Sequence, residues 1–335
     1  MMEMRIERER WRLREPFHIT GTTMEELDVV VVELRAEGHC GRGEAAGVDY
    51  RVDDGIEHML VQLQAIRGQV ESGIDRISLQ SLLPAGGARN ALDCALWDLE
   101  ARRAGRGVWQ LAGLNRPRPL LTTYTIGAND PSAMATTAQR FAHARAIKLK
   151  LTGEPCDAER VRIVRAVRPD VWLGVDANQG FTRAHFDELL PVLIEARICL
   201  IEQPFRVGCE PFLRELGSPI PIAADESIQG LADLHGAVGR FNVINIKLDK
   251  CGGLTEGLAM ATLARQLQLG IMVGNMVGTS LAMAPAFVLG QSCDVVDLDG
   301  PILLAKDRAQ TVAYMNGEIW CADAVWGGAG ATPAS

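Results

Sequence analysis

A rhythm constrains this chain more than any single residue does. Eight short β-rich runs recur at Leu121–Ile126, Ala146–Lys150, Val171–Asp176, Cys199–Gln203, Ile220–Asp225, Val243–Lys247, Ile271–Asn275 and Val295–Asp299, and their ends lie 22–28 residues apart. One strand, one helix and two loops fill such a period. Helical periodicity lies between the runs: in DAERVRIVRAVRP, Ile163, Val164 and Val167 share a face. Eight such units predict an α/β fold closed into a parallel barrel. The last unit departs, because GPILLAKDRAQ after Asp299 holds a Gly-Pro break and no amphipathic pattern. The expected architecture is a modified TIM barrel, (β/α)7β, over residues 118–310.

The first 117 residues are patterned differently. Strand-like runs lie at Met4–Leu13, Val29–Leu34 and His39–Ala45, the last turned at Glu37-Gly38. In ARNALDCALWDLEARRAG, Leu92, Leu96 and Leu99 form a helical stripe, with Asp93, Asp98 and Arg102 off it and Gly105 as the stop. Strands followed by helices predict a small α+β capping domain over 1–117, with residues 311–326, hairpin-like at 311–322, returning to it. The Gly/Ala/Pro tail over 327–335 is expected to fray.

Composition narrows the function classes. Of 335 residues, 47% are hydrophobic and 23% charged, an ordinary globular balance. A net charge of −8 lacks the basic face that phosphate backbones require, so no nucleic-acid partner is expected. No apolar run reaches a membrane-spanning length of about 18 residues, so no membrane partner is expected either. The opening MMEMRIERERWRLREPF has no apolar signal core, and the eight cysteines form no Cys-x-x-Cys. Reduced thiols and a cytoplasmic location are the expectation.

The chemistry lies at the strand ends. The C-terminal rim of such barrels carries the active site. Here it presents Lys148 and Lys150, then Asp176 and Asn178, Glu202, Asp225 and Glu226, Lys247 and Asp249, and finally Asp297 and Asp299. Any one of these acids alone is most often a loop or helix cap. Three consecutive strands delivering carboxylates to one rim is a different matter, since they repel unless a cation joins them or some stay protonated. Hard oxygen donors with no His or Cys nearby select Mg²⁺, with Mn²⁺ able to substitute. Strands two and six stand opposite in an eight-strand barrel, so Lys150 and Lys247 should face each other across the ion. A base on one face of a carbon and an acid on the other permit inversion there. Asp297 and Asp299, two apart and on one face, could hold a substrate ammonium.

Taken in order, AIKLK, VDAN, IEQP, ADES and INIKLDKCGGL, with LLPAGGARNALDCALWDLEARRAG before them, strongly resemble the muconate-lactonizing subgroup of the enolase superfamily. Asp297-Leu298-Asp299 resembles the Asp-x-Asp by which that subgroup's dipeptide epimerases, best known as L-Ala-D/L-Glu epimerases, bind the α-ammonium group. The resemblance implies Asp176, Glu202 and Asp225 as Mg²⁺ ligands, Lys150 and Lys247 as the acid/base pair, and Lys148 as a stabiliser of the enolate. It implies a soluble isomerase, commonly a homo-oligomer, that inverts the C-terminal residue of a dipeptide through an enediolate. The capping loops would choose the side chain. Gly21 stands where alanine–glutamate epimerases carry an Arg, and Asn275 where relatives often have Cys. His18, Thr20, Thr22, Tyr50 and Arg51 are candidate readers, with Thr125 and Asn275 as further substrate contacts. The alternatives are cycloisomerisation, o-succinylbenzoate synthesis, N-acylamino acid racemisation, or a barrel that only binds. The last of the six histidines is His235, so no His can serve from strands six or seven.

Overall fold

The computed structural model describes residues 2–48, 51 and 53–329. Strands β1 (Glu3–Ile19), β2 (Thr22–Ala36) and β3 (His39–Ala45) form an antiparallel meander. The first two run well beyond the predicted runs. They pair to the hairpin tip, where Ile19 meets Thr22, with a register shift between Arg12 and Phe17. Alternation along β2 divides its side chains: Val30, Val32 and Leu34 face the capping helices, while Leu27, Val29 and Val31 join the larger core.

The helix Gly87–Ala104 ends as predicted at Gly105, whose φ of 60° suits the left-handed cap. Leu92, Leu96 and Leu99 pack in the meander's core, while Cys94, Trp97 and Ala101 join the barrel's. The helix is sandwiched, so Asp93, Asp98 and Arg102 are buried as well. Asp93 accepts the backbone N–H of Thr255 at 3.0 Å. A Cβ on Gly253 would come within 2.5 Å of that carboxylate, and only glycine permits the approach.

After the two-residue β4 (Leu120–Leu121) come β5 (Thr123–Ile126), β6 (Ala146–Lys150), β7 (Trp172–Asp176), β8 (Leu200–Glu202), β9 (Ile222–Ala224), β10 (Val243–Ile246), β11 (Gly270–Val273) and β12 (Val295–Val296). They form one parallel sheet in sequence order. Side-chain bonds join its two ends: Leu298 N–H donates to Thr122 Oγ1 at 3.0 Å, and Thr125 N–H to Asp299 Oδ2 at 2.6 Å. Seven crossovers connect the strands, the fourth reduced to a 3-10 turn over Glu210–Glu215. Among the described residues only Gly300–Leu303 is helical after β12, so the chain is a modified TIM barrel of the (β/α)7β kind.

The expected return over 311–326 is made at its far end. The hairpin β13 (Ala313–Met315) and β14 (Glu318–Trp320) pairs with β4. Contact with the capping layer is made further on, where Trp326 Nε1 donates to Arg42 O at 2.7 Å and Gly327 N–H to Asp98 Oδ1 at 2.8 Å. Gly327 and Gly328 are buried, contrary to the expected fraying from 327. Residues 330–335 lie outside the described residues.

Candidate active site

The site follows from strand alternation. Outward residues such as Ile147, Leu149, Leu173, Val175, Ile201, Ile244 and Ile246 pack in the core with the helices. Inward residues at the lower end form an apolar plug of Leu200, Ala223 and Met272, with Trp172, Val243 and Val295 against it. Above the plug the inward residues turn polar. Register sets Lys150 beside Asp176 and Asp176 beside Glu202. Lys148, Lys150, Asp176, Glu202, Asp225, Asn245, Lys247 and Asp297 are all buried.

The charges are paired. Lys150 Nζ lies 2.6 Å from Asp176 Oδ2 and 2.9 Å from Asn178 Oδ1. Lys247 Nζ lies 2.7 Å from Asp225 Oδ2. The two lysines thus hold different outer members of the carboxylate trio, from strands four places apart in an eight-strand sheet. Lys148 Nζ sits between Asp297, Glu202 Oε2 at 3.2 Å and Asp176 Oδ2 at 3.6 Å. Glu202 Oε1 accepts Asn245 Nδ2 at 2.6 Å.

Burial pushes the Glu202 carboxyl up to about 8, reinforced by the negative charge of Asp176. Burial acts the same way on Asp225 and Asp176, but lysines outweigh it: Lys247 and Lys250 hold Asp225 below the usual carboxylate range, and Lys150 and Lys148 do so for Asp176. Burial disfavours the Lys148 ammonium, yet Asp297, Glu202 and Asp176 together raise it well above an ordinary lysine. Burial and the neighbouring Asp297 raise Asp299 to about 6.

The donor set fits a hard divalent cation: three carboxylates on adjacent strands, with Glu202 pushed up by burial and Asp176 even though Lys148 lies 3.2 Å away. Two buried polar atoms beside the trio, Asn245 Oδ1 and Glu226 Oε2, have no hydrogen-bond partner. Among the described residues, no three acidic, His or Cys side chains already close on a single point. The pairing explains this, because each carboxylate is drawn onto an ammonium.

Above this floor lies a cavity of about 740 Å³, roofed by the β1–β2 hairpin tip. Thr125, Asn275, Asp297 and Asp299 line it. Asn275 Nδ2 donates to Asp297 O at 2.6 Å, so the amide fixes the loop carrying the two acids. Thr20 lines it too, but its hydroxyl bonds Leu151 O at 3.0 Å and Ala177 O at 3.1 Å, clipping the tip to the barrel rim. Thr22 also lines it, while Gly21 lies in a neighbouring depression. Three expectations change. His18 does not line the cavity; its Nδ1 meets Thr23 Oγ1 at 2.8 Å. Arg51 is committed elsewhere, to Ala85 O at 2.9 Å and Lys250 O at 3.3 Å. Asp249 is not at the rim but accepts the backbone N–H groups of Ala46 and Gly47. Tyr50 lies outside the described residues.

Sequence reasoning passed over Lys250, which is almost fully buried beneath Asp225. It donates to Asp225 Oδ1 at 2.5 Å, Asp225 O at 2.6 Å and Asn245 O at 3.1 Å. The available signal was a second lysine three residues after Lys247, but a lysine in a Gly-rich turn ordinarily reads as solvated. Gln203 was passed over too; its Oε1 accepts Asp225 N–H at 2.9 Å.

Comparison with known proteins points to one family. Residues 133–320 match the family model described as "Enolase C-terminal domain-like", and residues 1–113 match the "Mandelate racemase / muconate lactonizing enzyme, N-terminal domain". The chain is 37% identical to the L-Ala-D/L-Glu epimerase of Escherichia coli, over 95% of this chain and 99% of that protein. It is also 37% identical to an N-acetyl-D-glutamate racemase of Pseudoalteromonas, over 86% and 92%. The dipeptide epimerase of Methylococcus capsulatus, solved with Mg and L-Arg-D-Lys, superposes with a TM-score of 0.89 at 31% identity, covering 96% of each chain. Barrel, capping meander and sequence therefore agree, and this chain belongs to the enolase superfamily, as a member with the mandelate racemase and muconate lactonizing enzyme domain pair.

Proposed function

We propose that this protein is a Mg²⁺-dependent dipeptide epimerase, an isomerase that inverts the α-carbon of the C-terminal residue by moving one proton between two lysines. One observation carries the reading. Lys150 and Lys247 hold Asp176 and Asp225 from opposite strands of the barrel, leaving Glu202 between them. A substrate carboxylate drawn to that centre would carry its α-carbon between the two ammonium positions. Asp176, Glu202 and Asp225 would hold the metal. When bound, it neutralises the carboxylate trio and stabilises the negative charge that develops on the substrate carboxylate as the α-proton leaves.

The chain's own groups do the rest. Lys150 and Lys247 are the proton acceptor and donor, and they exchange roles when the reaction runs backward. Lys148, kept cationic by three carboxylates, faces the developing charge without giving up its proton. Asp297 and Asp299 offer a carboxylate pair for the substrate ammonium on the β12 side of the cavity. The hairpin tip, held by Thr20, keeps water from the reacting carbon. The L-Ala-D/L-Glu epimerase and Mg-bound dipeptide epimerase relatives support the same reaction class.

The test is deuterium wash-in at the C-terminal α-carbon of dipeptides in D₂O with Mg²⁺. Wild type should exchange and invert; Lys150→Ala and Lys247→Ala should not epimerise. Full epimerisation by either variant would remove the two-lysine assignment. The N-acetyl-D-glutamate racemase likeness favours a second reading, racemisation of N-acylamino acids. Such substrates lack a free ammonium for Asp297 and Asp299, so N-acetyl and free-amine forms of one substrate separate the two.

A further inference from the structure

We infer that the residue inverted at this site bears an uncharged, apolar side chain and that an acidic one is refused. This deepens the epimerase reading and rests on it. A substrate fixed at the floor by its carboxylate and ammonium projects its remaining substituent upward, into the roof. The roof is therefore what the side chain meets.

Cations and apolar surface are unevenly distributed in this cavity. Its lysines are Lys148, Lys150 and Lys247, all on the floor and all beside carboxylates. Among the described residues, the roof contributes no Lys, Arg or His. Its charged members are Glu25, Glu26 and Asp28. Asp28 is neutralised by Arg8 and Arg10, and Glu26 meets Arg12. Glu25 is exposed. Arg51 reaches Ala85 O and Lys250 O. Arg183 and Arg206 line a separate cavity beyond Asn178 and Gln179. Among the described residues, a carboxylate side chain would thus enter a roof that lines the cavity with no cation to pair it, and losing its hydration there is unfavourable.

The same roof offers apolar surface that is only half covered. Phe17, Ile19, Met24 and Ile56 come from the capping layer and Leu303 from the short helix after β12, and each is partly exposed and lines the cavity. Such a lining gains by covering an aliphatic or aromatic side chain. Met24 is unbranched and adapts to different shapes. A cationic side chain would find Glu25 but would leave this apolar surface wet.

The experiment uses the full-length enzyme with Mg²⁺ and measures kcat/KM for α-deuterium wash-in. The substrates are L-Ala-L-Leu, L-Ala-L-Met, L-Ala-L-Phe, L-Ala-L-Lys and L-Ala-L-Glu, with the N-acetyl forms of the same five C-terminal residues alongside. Leu, Met and Phe should exceed Glu by tenfold or more, and should exceed Lys. Glu equal to or above Leu overturns the inference, as does Lys above all three. Exchange confined to the N-acetyl series would end the dipeptide reading, while the ranking within that series still decides the side-chain inference; no exchange in either series ends both. Met24→Arg supplies a cation in the roof and should raise the Glu/Leu ratio at least tenfold. A ratio within one variant is unmoved by partial loss of folded enzyme, so an unchanged ratio in soluble, cooperatively melting Met24→Arg also overturns it.

Discussion

Asp249 accepts the backbone N–H of Gly47 at 3.2 Å, across the junction between the barrel and the capping layer. The same oxygen takes the N–H of Ala46 at 2.9 Å. One buried carboxyl thereby anchors the segment that follows β3, whose Ala46 and Gly47 line the cavity.

The anchor makes stability depend on pH. Burial raises the Asp249 carboxyl to about 7, against the partial opposition of the Gly47 N–H. The unfolded value is about 3.9, so the folded state prefers the protonated form. This contribution is fully present below about pH 4 and is lost as pH rises through about 7. Asp249→Asn removes the titration and keeps an acceptor. The stability of wild type relative to Asp249→Asn should be greater at pH 4.5 than at pH 8, by on the order of 2 kcal/mol. Parallel Tm–pH curves for the two proteins would show that Asp249 does not titrate in this way.

Lys150 and Lys247 should each be indispensable to inversion and dispensable to folding. A positioned acid or base typically contributes about 10²–10⁴-fold. Each alanine variant should therefore lose epimerisation by about that factor. Because the lysines hold opposite outer carboxylates, one variant should fail to take the proton from the L epimer and the other from the D epimer. Loss of exchange from the same epimer in both variants would contradict their placement on opposite faces.

Magnesium should stabilise the folded chain as well as activate it. Glu202 is pushed up to about 8 by burial and by Asp176, so added positive charge among the carboxylates is favourable. A ligand bound only by the folded state adds about 2.7 kcal/mol at a hundred times its Kd. Tm should rise with Mg²⁺, fall with EDTA and lose most of this response in Glu202→Gln. A Tm indifferent to Mg²⁺ in wild type would argue against the trio as ligands.

Thr20 is a positioning residue. Its hydroxyl is within hydrogen-bond distance of Leu151 O and Ala177 O and ties the hairpin tip to the rim of β6 and β7. Thr20→Val keeps the shape and removes the bonds. KM should rise about tenfold, in proportion to the lost order of the roof, with Tm nearly unchanged. Thr20→Ser should restore most of the loss. An effect on kcat alone would place Thr20 in the chemistry instead.

Much of this was legible without coordinates, and the reason is periodic. A parallel barrel repeats its unit, so the spacing of Asp176, Glu202 and Asp225 reports three neighbouring strands. A period of two along each strand then puts Lys148 and Lys150 on the same side as Asp176. The capping helix was equally visible from Leu92, Leu96 and Leu99.

The sequence by itself determined the strand order, the ring of charged residues and the family, because each follows from local pattern and from order along the chain. Tertiary structure alone decided which charges meet. The turn Leu248–Cys251 sends Lys250 under Asp225, while Asp249, one residue earlier, leaves the rim for Gly47. The register shift in β1 and the closing of its tip leave His18 beside Thr23, outside the cavity, while Thr20 fastens that tip to the barrel. Arg51, free in sequence to serve a substrate, is spent on backbone carbonyls of its own fold. Sequence spacing fixes direction only within a regular element, and long side chains at turns choose among partners that the folded chain alone brings within reach.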